Sequence, residues 1–332
     1  MSPSGINVWA TREPTGLFRW HSRVPVQLTT GPLSFDAFAP SPNGKRLFVG
    51  ASQLRAELVR HDPKSQQFVP FLSGISAGEL DFSRDGKWIV YTSYPDATLW
   101  RSRADGTDRL QLTFAPVSAG LSRWSPDATQ IAYVSKRPGL PWKIFLIPAQ
   151  GGTPQEVLPS DQDESDPVWS PDGQRLAFGG IPDQHPFVIH LLDLNTHQVS
   201  TIPGSEDLFS PRWSPDGQYL AALTRNSTKL MLFNFKTQKW SEWINEPGAI
   251  GFPNWSRDGA YLYYDTAFSE HSTFRMVKVG ETHSELVFDL KGLLAYRSAP
   301  AFGWSGITPN GSGLFVRDLS TDELYSLDLE LP

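Results

Sequence analysis

Apolar and polar residues alternate along this chain in short bursts. Runs such as RLAFG (175–179), YLAALT (219–224) and YLYYDT (261–266) hold five or six residues and are bounded by Gly, Pro, Asn, Asp or Ser. Period-two alternation of that length between turn formers predicts β-strands.

One block punctuates the pattern. It reads FAPSPNGKRLFVG (38–50), FSRDGKWIVYTS (82–93), WSPDATQIAYVS (124–135) and WSPDGQRLAFGG (169–180), then WSPDGQYLAALT (213–224), WSRDGAYLYYDT (255–266) and a worn ITPNGSGLFVRD (307–318). Anchored on Ser41, Ser83, Ser125, Ser170, Ser214, Ser256 and Thr308, the copies are 42, 42, 45, 44, 42 and 52 residues apart. After each anchor come an alternating run, a second run such as TLWRSR (98–103) or KLMLFNF (229–235), a polar turn and a third run such as DRLQLT (108–113). With the run before the anchor this makes four strands per unit, the size of a β-propeller blade. The predicted fold is all-β: a seven-bladed propeller of four-stranded antiparallel blades.

The block itself reads as a turn and a wedge. Pro presets φ, Asp tolerates the next position, and Gly supplies a left-handed conformation between the first two strands. Asp85, Asp127, Asp172, Asp216 and Asp258 hold that turn position, and Ala128 replaces the usual Gly, which predicts a strained or altered turn. The preceding aromatics, Phe82, Trp124, Trp169, Trp213 and Trp255, are read as packing between blades.

The last unit has strands near 299–304, 313–317 and 322–329 but no fourth. VPVQLTTGP (24–32) resembles RLQLTFAP (109–116), so the N-terminal strand is expected to complete that blade and close the ring. INVWAT (6–11) is then a surplus strand. Residues 1–16 are read as the tail of an upstream blade or a linker, and 17–332 as a single propeller within a longer protein.

Composition adds bounds. The 332 residues are 39% hydrophobic and 19% charged, with 28 Pro and 27 Gly for many turns and 12 Trp and 20 Phe favouring strands. A net charge of −6 without a Lys/Arg run carries no nucleic-acid footprint. No stretch is long enough for a spanning helix, and MSPSGINVWATREPTGL lacks a leader's cationic start and apolar core. That leaves the compartment open: cytoplasmic by default, extracytoplasmic within a membrane-anchored protein. Without Cys there are no disulfides, thiol nucleophiles or Cys-based zinc sites.

WSPDGQRLAF, WSPDGQYLAA, WSPDATQIAY and the turn in RADGTDRLQLT resemble TolB-type propeller repeats over residues 6–330. That resemblance implies the fold, and a periplasmic binder of envelope proteins; no partner residue carries over. AELVRHDPKSQQFVPFL (56–72), LFSPRWSPDG (208–217) and LFVRDLSTDELYSLDLELP (314–332) also resemble C-terminal propellers of large winged-helix or kinase-linked regulators of the acidobacterial type. This second resemblance implies a sensor or interaction module.

Most enzymatic signatures are missing. Gly-x-Ser-x-Gly occurs once, as GISAG (74–78), but it runs into the strand GELDFS and not into the helix a nucleophile elbow needs. There is no Ser-x-x-Lys, His-Glu-x-x-His or phosphate loop, and the seven His (21, 61, 185, 190, 197, 271, 283) lack zinc spacing. SDQDESD (160–166) lacks the Gly of a calcium loop and is expected to be a solvated connection. The informative residues lie on the inner strands. Asp81, Arg123, Arg212 and Asn254 precede their anchors by two residues, with Glu79 and Asp166 two residues further up. Alternation places them on one face, converging at the ring axis or between blades. They read either as interblade salt bridges, such as Asp81 with Arg123, or as a polar channel mouth for a peptide, an acidic group or a sugar. The expected function is a monomeric, cofactor-free, non-enzymatic binding module for a protein or peptide, with Trp142, Trp240 and Trp243 as candidate anchors. The rival is a lactonase- or lyase-type propeller in which Glu79, Asp81 and Asp166 hold a metal.

Overall fold

Each SPDG block closes a hairpin through the same bonds. In the Ser170 copy the hydroxyl donates to Asp172 Oδ1 at 2.5 Å and accepts the Arg175 N–H at 2.9 Å, while Gly173 N–H reaches the Ser170 carbonyl at 2.9 Å. Gly173 has φ +72°, the left-handed region that a side chain disfavours. Ala128 adopts φ +57° and makes the same bond to the Ser125 carbonyl at 2.9 Å. That turn is therefore strained in conformation and unaltered in shape.

The computed structural model describes residues 6–11, 24–31, 33–137, 139–179, 188–266, 271–291, 293 and 304–328. No helix occurs among them, and all regular structure is strand. The seven anchors mark seven sheets, named here by anchor. Six are four-stranded and antiparallel. Their inner strands, Ala77–Phe82, Ser118–Trp124, Ser165–Trp169, Leu208–Trp213, Gly251–Trp255 and Ser305–Ile307, follow one another around a ring, and the last meets the first. The seventh, the Ser41 sheet, is three-stranded and stands outside that circle. Core clusters lie between successive blades. Ala132, Val134 and Ile144 of one blade pack with Trp169, Leu176 and Leu192 of the next, for example.

Ring closure is non-local. Ser305–Ile307 and Gly313–Asp318 form the inner half of the Thr308 blade, and Ala56–Asp62 and Gln67–Pro70 form its outer half. N-terminal strands thus close the ring, but not the segment expected. Val26–Gln27 instead pairs with Trp9–Ala10, and Ile6 accepts a hydrogen bond from Phe35 N–H, so the surplus strand lies against the Ser41 sheet. Thr321–Asp328, expected as the third strand of the Thr308 blade, pairs with Arg46–Gln53. Burial explains the exchange. An inner-blade strand is covered on both faces: Leu58 packs toward the Ser83 blade and Val59 toward the Ser256 blade, both fully buried. Thr321–Asp328 carries Asp322 and Glu323, leaves Leu324 76% exposed, and suits a one-sided edge.

The two pairings are one ladder. Partners run from Arg46 with Asp328 to Gln53 with Thr321, then from Ala56 with Asp318 to Arg60 with Leu314, in unbroken register. Two long strands therefore bend together at 54–55 and 319–320 and divide between two sheets.

Candidate functional site

Every inner strand of the five contiguous blades carries a register shift, a β-bulge just upstream of its anchor. In four of them the residue four before the anchor has positive φ: Leu121 (50°), Asp166 (52°), Ser210 (54°) and Phe252 (40°). A bulge breaks simple alternation and re-aims side chains. The candidates therefore do not form one flat row. Five of them meet through the bulges, and Asn254 does not.

Asp166 is the hub. Its Oδ2 accepts the Ser210 hydroxyl at 2.7 Å; its Oδ1 lies 2.9 Å from Arg212 Nη1 and 3.6 Å from Arg123 Nη2. Those guanidinium contacts are ionic and off-axis, since the same oxygen has no hydrogen bond of good geometry. Arg212 is further fixed by Nε donating to the Pro253 carbonyl at 3.0 Å and Nη1 to the Pro211 carbonyl at 2.8 Å. Glu79 accepts the Leu121 N–H at 2.6 Å and Asp81 the Trp124 N–H at 2.9 Å, both from the next blade. Arg123 is close enough to both carboxyls to stabilise their charge, but its ion pair is with Asp166 and not Asp81. Asn254 bonds instead to the Phe252 and Ser305 carbonyls.

Three carboxyls thus share two guanidiniums, one acid in excess. Burial pushes the Glu79 and Asp81 carboxyls up, against the pull of the neighbouring N–H groups and Arg123. Burial would also raise Asp166, but Arg212, Arg123 and the Ser210 hydroxyl together hold it below the usual carboxylate range. Of the three carboxyls, Glu79 and Asp81 therefore hold a proton more readily than Asp166.

The pre-anchor aromatics bridge the same boundaries. Trp169 Nε1 donates to the Arg123 carbonyl at 3.2 Å and Trp255 Nε1 to the Arg212 carbonyl at 2.9 Å, each on the preceding blade. Trp124 and Trp213 pack in interblade cores and Phe82 lies against one. Of the proposed surface anchors, Trp142 and Trp240 are half-buried, but Trp243 is 7% exposed and spends its N–H on the Glu281 carbonyl.

The acidic run is a solvated loop only in its first part: Ser160, Asp161 and Gln162 are exposed, and the run then turns inward. Glu164 is 3% exposed, bonded to Lys143 and Ser160, and accepts the Ile144 N–H. Sequence reasoning missed that pair, and also Asp265, which is fully buried and accepts the Ser305 hydroxyl of the closing blade. A signal existed for the second: at that repeat position the other contiguous copies carry Thr92, Val134, Gly179 and Leu223. His21 and His185 lie outside the described residues. His61 and His190 sit against Phe288 and Phe178, where burial lowers both imidazoles.

No known family profile matches the chain. Short segments match curated proteins. Tol-Pal system protein TolB of Bordetella pertussis is 41% identical over 66 residues, which is 20% of this chain and 15% of that protein. TolB of Methylobacillus flagellatus is 39% identical over 61 residues, covering 18% and 14%. The uncharacterised peptidase YuxL of Bacillus subtilis is 33% identical over 54 residues, covering 16% and 8%. The matched segments therefore span less than a sixth of those relatives' length. Solved structures agree over far more of the chain. A TolB protein from Agrobacterium tumefaciens superposes with TM-score 0.63 at 19% identity, covering 80% of this chain and 99% of that one. TolB from Acinetobacter baumannii gives 0.52 at 17%, covering 86% and 81%. Oligogalacturonate lyase in complex with manganese gives 0.56 at 14%, covering 86% and 96%. The chain thus has the β-propeller fold of these TolB structures, and short stretches of its repeat are similar to TolB sequences.

Proposed function

We propose that the chain is a non-enzymatic binding module that takes a protein or peptide at the channel mouth and serves as the sensing or interaction part of a larger bacterial regulator. The observation that carries this reading is the commitment of the channel side chains to one another. Glu79 and Asp81 are tied to backbone N–H groups, and Asp166 lies between two guanidiniums. A general base or nucleophile needs a free, poised group, and that set provides a rigid frame instead. Arg123, with 15% of its side chain exposed, is the cation best placed to meet an acidic group on a partner. The Tol-Pal relatives, named for a protein system, favour a protein partner by analogy.

The lyase neighbour favours the rival enzyme. Its manganese needs an oxygen-rich site, and Glu79, Asp81 and Asp166 are the channel carboxylates on offer. Arg123 and Arg212 repel a cation there, which weighs against it.

One comparison separates the two. Affinity capture with the chain and with Arg123→Gln, checked for equal thermal stability, is expected to recover a partner that the variant loses. Manganese-dependent cleavage of oligogalacturonate by the chain, abolished by Asp166→Asn, would replace the binding reading with the enzymatic one.

A further inference from the structure

A second site lies away from the channel, where the Ser83 blade faces the closing blade. One row of side chains crosses all four strands of the Ser83 blade: Leu80 opposite Tyr91, Tyr91 opposite Trp100, and Trp100 opposite Gln111. Leu80 is packed into the interblade core. The other three line a cleft of about 540 Å³, within the usual range for small-ligand sites, whose opposite wall is Gly74–Ser76 from the closing blade's connection.

Two unspent donors point into that space. Tyr91 is 3% exposed, yet its hydroxyl bonds to nothing among the described residues. Burial raises its phenol, against the pull of the nearby Arg109, so it remains a proton donor at neutral pH. Arg109 is oriented by Nε donating to the Gly106 carbonyl at 2.9 Å and forms no ion pair among the described residues, so its terminal nitrogens are free. Trp100, on the strand between Tyr91 and Gln111, also lines the cleft; it is half-buried, and its N–H is held by Thr98 Oγ1 at 3.0 Å and cannot serve a ligand. The ring is thereby left as a flat apolar surface.

We propose that this cleft binds a small carboxylate bearing a flat apolar ring. The carboxylate lies on the Arg109 guanidinium and the Tyr91 hydroxyl, and the ring lies on Trp100. A guanidinium and a phenol beside one another match the two oxygens of a carboxylate, and an aromatic floor rewards a planar ligand. Asp96, exposed on the same cleft, makes a second anionic group on the ligand unfavourable. Gly74–Ser76 belongs to the seam between the ring's two ends, where Ser76 accepts the Ala56 N–H. Occupancy therefore also stabilises ring closure.

Calorimetric titration of the full chain with 2-naphthoate, and with the neutral 2-naphthylmethanol, tests this. Saturable one-site binding of naphthoate is expected, about tenfold or more tighter than the alcohol, with a rise in the unfolding midpoint. Arg109→Gln and Tyr91→Phe, both conservative for packing, should each erase most of that preference, and Trp100→Leu should weaken both probes. Leu324→Ser, on the Ser41 sheet, should change neither. Absence of saturable naphthoate binding, or a preference for the acid that survives Arg109→Gln, overturns the proposal. A channel partner in the capture experiment bears on neither outcome, because no residue is shared between the two sites.

Discussion

The Ser214 blade and the Thr308 blade have the same four-stranded plan and draw it from the chain in opposite ways. The first takes Leu208–Trp213 to Lys239–Asn245 in order, each strand hairpinned to the one before. The second joins Gly313–Asp318 to Ala56–Asp62, some 260 residues apart in the chain, as the Arg317–Glu57 contact records. A contiguous blade costs only short loop closures, whereas the seam brings together both ends of the chain. Equal architecture therefore need not mean equal dependence on any one contact. The seam has no covalent turn to hold it, so the strand ladder and its packing must do so.

The largest effect is expected there. Phe315 is 1% exposed and packs edge-on to Phe68, Phe274 and Phe288, which joins the Ser256 blade to the two halves of the closing blade. Phe315→Ala should cost about 3–5 kcal/mol in denaturant unfolding. Phe48→Ala on the Ser41 sheet, where the ring is 40% exposed, should cost well under half of that. Equal losses would mean that the Ser41 sheet is as integral as the ring.

Next come the interblade charges. Asp166→Asn leaves two buried guanidiniums with a poorer partner and should cost about 3 kcal/mol. Asp81→Asn removes the excess acid while retaining an acceptor for Trp124 N–H, and should stabilise at pH 7, because burial disfavours the carboxylate it replaces. A comparable loss from both would dissolve the distinction between hub and excess acid.

The same assignment predicts opposite pH slopes. Asp166 is held low, so its stabilisation is complete above the usual carboxylate range and fades as pH falls through its folded value. Glu79 and Asp81 are held high, so their stability contribution is complete at low pH and fades as pH rises through their folded values. As pH falls, thermal stability should therefore rise through the folded values of Glu79 and Asp81 and fall through that of Asp166. In a Glu79→Gln/Asp81→Asn double variant the rise should vanish and the acid-side fall remain.

The smallest effects belong to the local turns. Ala128→Gly relieves a left-handed Ala and should stabilise by up to about 1 kcal/mol, whereas Gly173→Ala, at the equivalent turn, should destabilise by a similar amount. Asp216→Ala removes the acceptor of the Ser214 hydroxyl and the Gln218 N–H and should cost about 1 kcal/mol. Thermal unfolding of the three single variants measures all of these. Comparable losses at the seam and at these turns would contradict the contrast.

Much of the fold was legible because the repeat writes each hairpin in adjacent residues. Ser170, Asp172 and Gly173 lie within four positions, and so do their bonds. The convergence of Glu79, Asp81, Arg123, Asp166 and Arg212 was legible for the same reason, since recurring registers on neighbouring blades repeat in space. Their pairing was not. The left-handed bulge at Asp166 turns its carboxylate between two arginines, and neither spacing nor alternation predicts a bulge. Glu164 looked like part of a charged surface run because its partner, Lys143, is 21 positions away.

By itself, the sequence determined the strand type, the repeat and its turns, all of which depend on steric and hydrogen-bonding preferences within a few residues. Tertiary structure alone decided which strands complete the Thr308 blade. The segments 56–62, 24–32 and 322–329 all alternate well enough to be strands, and local physics does not rank them. What ranks them is burial on both faces. Leu58 on one side and Val59 on the other fill the space between two packed blades, where Thr321–Asp328 would bring Asp322 and Glu323. That requirement exists only once the neighbouring blades are in place.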